Sequence, residues 1–247
     1  MTETLAPILV ATGLVRRYGL RAVVDGIDLT VHSGEVLVLL GENGAGKTTL
    51  MRTLAGELVA DSGTISVCGM AMASDPDAAR RHLIYVAQRP TLAPLATLRE
   101  HAQTLAALRN LAPERAAAEL TQLAAALRLT DAIDRPVRAL SGGMAHKAAL
   151  VLGLLAATPL VMLDEPHTGL DVRSALALRQ LILDRRALGT AFVLASHLAE
   201  ATLAVADRAL VLAQGRVARV FARDELGAFA GDARQFEQAV LGAMGQT

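Results

Sequence analysis

The sequence is most informative where it reads Glu35-Val36-Leu37-Val38-Leu39-Leu40-Gly41-Glu42-Asn43-Gly44-Ala45-Gly46-Lys47-Thr48-Thr49-Leu50. The largely apolar run 35–40 predicts a strand that is buried on both faces. A glycine-rich loop follows, and a helix is predicted to begin at Lys47 and to stop near Gly56. Strand, loop and helix make half of a βαβ unit, which predicts an α/β fold with a mainly parallel sheet.

The loop at 41–48 matches the pattern G-x-x-x-x-G-K-[ST] in full. Its glycines let the backbone curl so that consecutive N–H groups point at phosphate oxygens, and the following helix adds its positive N-terminal end. Lys47 can reach the β- and γ-phosphates, and the Thr48 hydroxyl can ligate Mg2+. A chance glycine turn is disfavoured because the motif stands between a buried strand and a helix. The predicted nucleotide-binding residues are Gly41, Glu42, Asn43, Gly44, Ala45, Gly46, Lys47, Thr48 and Thr49.

The bulk composition indicates one large domain, with or without a small inserted lobe. The chain has 247 residues, of which 53% are hydrophobic, enough for a buried core. Lys plus Arg and Asp plus Glu balance at 24 each, so no global charge favours nucleic acid or an anionic membrane. The single cysteine, Cys68, cannot form an internal disulfide, which fits a reducing compartment such as the cytoplasm. We interpret it as a small buried hydrophobic residue rather than a reactive thiol.

A mean hydropathy of +0.39 raises the question of a membrane segment. The longest uncharged run, 148–163, is shorter than the roughly 18–20 residues that a spanning helix needs. Thr158-Pro159 also interrupts it, so we predict a buried helix followed by a buried strand. Met1-Thr2-Glu3 lacks a basic segment, and no secretory signal is expected. Membrane contact is therefore expected only through a partner, without direct insertion.

Further elements follow from the same patterns. Ile27, Leu29 and Val31 alternate with polar residues, as in a half-exposed strand. Additional predicted strands lie at 64–70, 83–87, 160–163 and 191–195, with a hairpin at 208–220. An alanine-rich helical lobe is predicted from 98 to 129, interrupted at Ala112-Pro113, and short helices at 224–230 and 234–243 close the chain. The expected division is an α/β core at 1–87 and 146–223, a helical subdomain at about 88–145 and a tail at about 224–247.

Leu160-Val161-Met162-Leu163-Asp164-Glu165 is an apolar strand that ends in two carboxylates. Open α/β sheets bind ligands at this carboxyl edge. Asp164 would hold Mg2+, directly or through water, and Glu165 can polarise an attacking water. Such a strand end is by itself as often structural as functional. The phosphate loop in the same chain favours a catalytic role.

Leu140-Ser141-Gly142-Gly143-Met144 carries a family resemblance. The chain resembles the ATP-binding cassette (ABC) family, whose signature reads L-S-G-G-Q, over nearly its whole length. The resemblance implies a P-loop NTPase core with an N-terminal antiparallel β subdomain and an inserted α-helical subdomain. It also implies ATP hydrolysis involving Lys47. Four further positions match the family in order, and the resemblance implies a role for each. Tyr18 would stack on adenine, and Gln88 would contact Mg2+ and the membrane partner. Asp171 would contact the second subunit of the dimer, and His197 would lie near the γ-phosphate.

The resemblance further implies partners. ATP held by one subunit is covered by Ser141, Gly142, Gly143 and Met144 of a second, which makes a homodimer or heterodimer. A separately encoded permease would dock near Gln88 and hold the chain at the inner face of the cell membrane, and no nucleic acid is implied.

Several positions depart from the family pattern. Met144 replaces the signature glutamine, His146-Lys147 replaces Gln-Arg, and His167 stands where a small residue or phenylalanine is usual. The S-G-G-M form and the closing segment 236–241 resemble exporters of drugs, polyketides, ions and oligosaccharides. Importer subunits and soluble cassettes of the iron–sulfur assembly type remain alternatives. A non-catalytic nucleotide-binding regulator is disfavoured because Glu165 and His197 are retained.

Overall fold

Two β-sheets form the framework of the structure, a computed structural model that describes residues 6–245. Met1-Thr2-Glu3, on which the expectation about a secretory signal rests, lies outside the described residues. The strands are β1 Pro7–Tyr18, β2 Arg21–His32, β3 Val36–Leu40, β4 Ser62–Val67, β5 Met70–Ala71, β6 Leu83–Val86, β7 Leu160–Asp164, β8 Ala191–Ala195, β9 Arg208–Ala213 and β10 Arg216–Phe221. The helices are α1 Lys47–Leu54, α2 Pro76–Arg81, α3 Leu98–Leu108, α4 Pro113–Ala126, α5 Gly142–Leu155, α6 Val172–Ala187, α7 Ala199–Leu203, α8 Arg223–Ala228 and α9 Ala233–Met244.

The larger sheet has the order β10-β9-β3-β8-β7-β6 and is parallel except for β10, which pairs antiparallel with β9. Every residue of β3, β7 and β8 is buried, which explains their continuous apolar sequences. The predicted strands at 35–40, 160–163 and 191–195 are confirmed to within one residue at each end. Since only β8 separates β3 from β7, the phosphate loop and Asp164 emerge at the same sheet edge, about 10 Å apart.

The hydrophobic core lies on both faces of this sheet. Successive side chains of β3 alternate between two clusters, because side chains of a strand point to opposite faces. One cluster joins Val38 to the helical lobe through Leu120 and Leu154. The other joins Leu39 to the antiparallel sheet and to Leu50 of α1. The phosphate-loop helix is therefore fixed to the sheet by its apolar side.

The smaller sheet is antiparallel, with the order β2-β1-β4-β5. The prediction of one strand at 64–70 is wrong, because the chain turns at Cys68 and Gly69, which have φ of +48° and +79°. Two consecutive left-handed residues match the tight turn of a hairpin between β4 and β5. Cys68 is half-buried, and burial raises the pKa of its thiol, in agreement with its interpretation as an apolar rather than a reactive residue.

The helical lobe contains α3 and α4, and α5 packs against both. Thr97 and Glu100 form a capping box at the start of α3, and Pro113 begins α4 after the predicted interruption. No helix within residues 6–245 combines the length and the apolar character that crossing a bilayer requires.

Three aromatic rings attach the C-terminal tail to the core. Phe221, Phe229 and Phe236 lie with ring centroids 5.3–6.0 Å apart, and the Phe221 ring meets each of the other two edge-on. Phe236 is fully buried and anchors α9. Aromatic pairs in these geometries add to the free energy gained by burial.

Phe236→Ala is expected to lower the free energy of unfolding by about 3–5 kcal/mol, because it leaves a large cavity among these rings. Urea denaturation measures the effect. Leu241→Ala is the matched control on the same helix, since Leu241 is 51% exposed, and it is expected to change stability by less than about 0.5 kcal/mol. Similar losses in both variants would show that α9 is not held by the aromatic contacts.

Candidate nucleotide site

The phosphate loop depends on glycine at its two ends. Gly41 and Gly46 have φ of +154° and +107°, a backbone conformation that residues with a side chain rarely adopt. A Cβ on Gly41 would lie 2.5 Å from the carbonyl oxygen of Leu212, and one on Gly46 would lie 2.4 Å from that of Val23. Backbone conformation and close packing therefore both require glycine, and the loop curls as the motif predicts.

Lys47 is buried within this curl. Its Nζ donates to the carbonyl oxygens of Gly41, at 2.5 Å, and Glu42, at 3.2 Å. Burial lowers the pKa of Lys47, whereas the negative charges of Glu165 and Asp164 act to raise it. The ammonium group is thus held by its own loop, and the two carboxylates are near enough to act on its charge.

A cavity of about 160 Å³ opens beside the loop. Gln88 and Glu165 line it although they are far from the loop in sequence. Its other lining residues are Val23, Glu42, Asn43, Gly44, Gly46, Lys47, Thr48 and Thr49. Tyr18 does not line it; this ring is half exposed at the end of β1, with the Arg16 guanidinium 5.2 Å from its centroid.

Asp164 ends β7 with 1% of its surface exposed. Its Oδ2 accepts a hydrogen bond of 3.2 Å from the Tyr85 hydroxyl, and Oδ1 is buried with no hydrogen-bond partner in the described part of the chain. Burial raises the pKa of Asp164, while the nearby hydroxyls of Thr48 and Tyr85 and the charge of Lys47 act to lower it. An unpaired buried carboxylate oxygen beside a threonine hydroxyl fits a Mg2+ site, because Mg2+ takes oxygen ligands and such an atom otherwise carries a desolvation cost.

Glu165 has a strained backbone. Its φ is +51°, and its amide donates to the carbonyl of Ala195 at 2.9 Å. The carboxylate Oε2 lies 2.8 Å from Nδ1 of His197, which follows β8. Adjacent strands therefore bring Glu165 and His197 together, and the carboxylate faces the cavity that holds Lys47.

The signature segment lies outside that cavity. Ser141 caps α5, since its Oγ accepts a 3.3 Å hydrogen bond from the Met144 amide. Ser141 and Gly142 are exposed, while Gly143 and Met144 are half-buried. None of these four lines the cavity beside the phosphate loop.

Lys147 and His146, which depart from the family pattern, hold α5 against the segment that follows β7. Lys147 Nζ donates to Asp171 Oδ2 and to Ser174 Oγ, each at 2.6 Å. Asp171 also caps α6 through the Ser174 amide, and these contacts lower its pKa far below the usual range. Nε2 of the buried His146 lies 3.2 Å from the carbonyl oxygen of Pro166. The sequence contained one signal for these contacts, the polar pair His146-Lys147 within the otherwise apolar α5.

The half-buried His167 lies near the buried His146. Burial and the neighbouring imidazole lower the pKa of His167, and burial also lowers that of His146. Both shifts favour the neutral form of the imidazole. The Nδ1 atoms of both rings are buried without a partner among the described residues.

A phosphate-cradling loop, a carboxylate pair at the edge of a parallel sheet and a capped signature helix define a P-loop nucleoside triphosphatase. Residues 24–168 match the family described as ABC transporter. The chain belongs to this family, whose ATP-binding cassettes are ATPases coupled to transport.

Curated relatives include both exporters and importers. The chain is 34% identical over 85% of its length to a Nod factor export ATP-binding protein I of Ralstonia nicotianae, covering 65% of that protein. It is 35% identical over 83% of its length to a daunorubicin resistance ATP-binding protein of Streptomyces coeruleorubidus, covering 64%. An aliphatic sulfonates import ATP-binding protein of Nocardia farcinica is 39% identical over 86% of the chain, which covers 81% of it. The chain thus spans less than two thirds of two of these three relatives.

Solved structures share the fold. An ATP-binding subunit of an ABC transporter superposes with a TM-score of 0.86 at 27% identity, over 95% of this chain and 99% of that one. A dimeric bacterial ABC transporter cassette superposes with a TM-score of 0.80 at 20% identity, over 87% of this chain and 98% of that one.

Proposed function

We propose that this chain binds and hydrolyses ATP as the cassette subunit of an ABC exporter. The observation that carries the proposal is the division of the site within one chain. Lys47, Glu165 and Gln88 line one cavity, whereas the signature segment lies outside it. A single copy therefore offers half of the groups that the family uses, and a second copy would supply the rest.

ATP would enter with its phosphates against the loop 41–48. The loop amides and the N-terminus of α1 attract the phosphate oxygens, and Lys47 moves from its own carbonyls to the β- and γ-phosphates. Thr48, Asp164 and Gln88 would hold Mg2+, which neutralises phosphate charge when it is bound. The exposed ring of Tyr18 would stack on adenine.

Glu165 would orient and deprotonate the attacking water. Its short contact with His197 Nδ1 keeps the carboxylate in one place, and His197 would then approach the γ-phosphate. A second subunit would cover the site with its Ser141, Gly142 and Gly143. This cover would exclude bulk water and add hydrogen-bond donors at the γ-phosphate. Asp171 would contact the other subunit while remaining bound to Lys147.

A permease would dock in the larger groove beside the helical lobe. This groove has a volume of about 820 Å³, and its lining includes Gln88, Leu92 and Leu105. Gln88 lines both this groove and the nucleotide cavity. Docking there would hold the chain at the inner face of the membrane and link ATP hydrolysis to transport.

Export is proposed from Met144, from the closing helix and from relatives named for Nod factor export and daunorubicin resistance. Import is the second candidate, favoured by the sulfonate relative, which the chain covers more fully. The cassette chemistry is the same in both cases.

Glu165→Gln is expected to slow ATP turnover by about 10²–10⁴-fold, because the amide cannot accept the water's proton. ATP binding should persist, and an ATP-bound dimer should accumulate in size-exclusion chromatography with Mg2+. Turnover at the wild-type rate would remove Glu165 from the mechanism.

Mixing two inactive variants tests whether the site is shared between copies. Lys47→Ala and Ser141→Arg should each abolish most ATPase activity. In a homodimer that joins one copy of each, one site combines an intact phosphate loop with an intact signature, so the mixture should regain activity. Phosphate release measures it.

The control mixture combines Lys47→Ala with Glu165→Gln. Both changes lie on the same side of each shared site, so every site in the mixed dimer is damaged and no activity should return. If the first mixture is no more active than its components, the signature does not act across subunits.

Inverted membrane vesicles distinguish the two transport directions once the copurifying permease is included. In these vesicles the cassette faces the medium, so export becomes ATP-driven uptake. We expect uptake of a drug-type probe such as daunorubicin. ATP-driven release of a preloaded aliphatic sulfonate would instead support import.

A further inference from the structure

Tyr85 lies beside the carboxylate that would hold Mg2+. On parallel strands β6 and β7, Tyr85 pairs with Met162 and Val86 with Leu163, so Asp164 stands one position beyond the end of β6. Tyr85 packs in the core cluster that contains Met162 and Leu50 of α1. Side chains alternate along a strand, so Tyr85 and Asp164 share the sheet face that carries the phosphate-loop helix.

The Tyr85 hydroxyl donates to Asp164 Oδ2 at 3.2 Å. The phenolic O–H is the donor of this pair, because a carboxylate oxygen can only accept. Oδ1 of the same carboxylate has no hydrogen-bond partner in the described range. One oxygen is thus fixed, and the other is left for a ligand.

We propose that Tyr85 is a positioning residue for Mg2+. This inference rests on the proposed function. The Tyr85 hydroxyl fixes the rotation of the Asp164 carboxylate, so that Oδ1 would be free to hold Mg2+ together with Thr48. Hydrogen bonds to the second oxygen of a metal-binding carboxylate set its orientation and tune its affinity. Tyr85 does not line the cavity beside the phosphate loop, so we expect its effect on the metal rather than on the nucleotide contacts.

Tyr85 also lines the large groove, together with Gln88, Thr48 and Asp164. The aromatic ring therefore forms part of the wall that a permease would contact, while its hydroxyl reaches the carboxylate. If Tyr85 only packs, Mg2+ binding should depend on its ring and not on its hydroxyl. If Tyr85 positions Asp164, Mg2+ binding should depend on the hydroxyl.

Tyr85→Phe removes the hydroxyl and keeps the ring. We expect the Mg2+ concentration that half-saturates the binding of a fluorescent ATP analogue to rise by about tenfold, the usual scale for loss of such a partner. Binding of the analogue in EDTA should stay unchanged. Electron paramagnetic resonance of Mn2+ with ATP should show the same weakening without any turnover.

Thr158→Val is the matched control. Thr158 is also a buried hydroxyl, which donates to the Leu160 carbonyl at 2.9 Å near the opposite end of β7. Its loss should lower the urea midpoint as much as Tyr85→Phe does and leave the Mg2+ titration at the wild-type position.

Three outcomes would overturn the inference: a wild-type Mg2+ titration for Tyr85→Phe, an equal shift in Thr158→Val, or an equal loss of binding in EDTA. Failure of the wild-type chain to bind the analogue with Mg2+ would instead overturn the proposed function. The two hypotheses can therefore fail separately.

Discussion

The buried ammonium group of Lys47 is the constraint on which the site depends. A charge removed from water is tolerated only with partners, and this one has two loop carbonyls and the nearby charges of Asp164 and Glu165. Those partners come from β3 and β7, which must end at the same edge with only β8 between them. The strand order of the sheet thus brings together the groups that the buried charge of Lys47 needs.

The fold was predictable where burial alone decides secondary structure. β3, β7 and β8 are buried on both faces, so each can be predicted as a strand from its own short apolar sequence. β1 was not among the individually predicted strands, because its pairing shifts register around Gly13 and only three of its twelve residues are buried. The strand at 64–70 was wrong because Cys68, not a residue typical of left-handed turns, adopts a positive φ.

The candidate site could be predicted where its residues are neighbours in the sequence. The phosphate loop and the pair Asp164-Glu165 are read from neighbouring residues, and the resemblance supplied Gln88 and His197. Contacts between distant segments had no such signal. Tyr85 is 79 positions from Asp164, and Lys147 is 24 from Asp171. Only the packing of strands and helices brings these side chains together, so no local pattern could pair them.

These distant contacts reach the segment 164–171 from two sides. Tyr85 joins Asp164 to the groove, while His146 and Lys147 join the signature helix to Pro166 and Asp171. Glu165 lies between them in a strained conformation that persists only while its neighbours hold it. At the docking positions proposed above, a permease in the groove would lie against Tyr85 and a second copy would lie against the signature helix that carries Lys147, so each partner would be within a few contacts of the carboxylates.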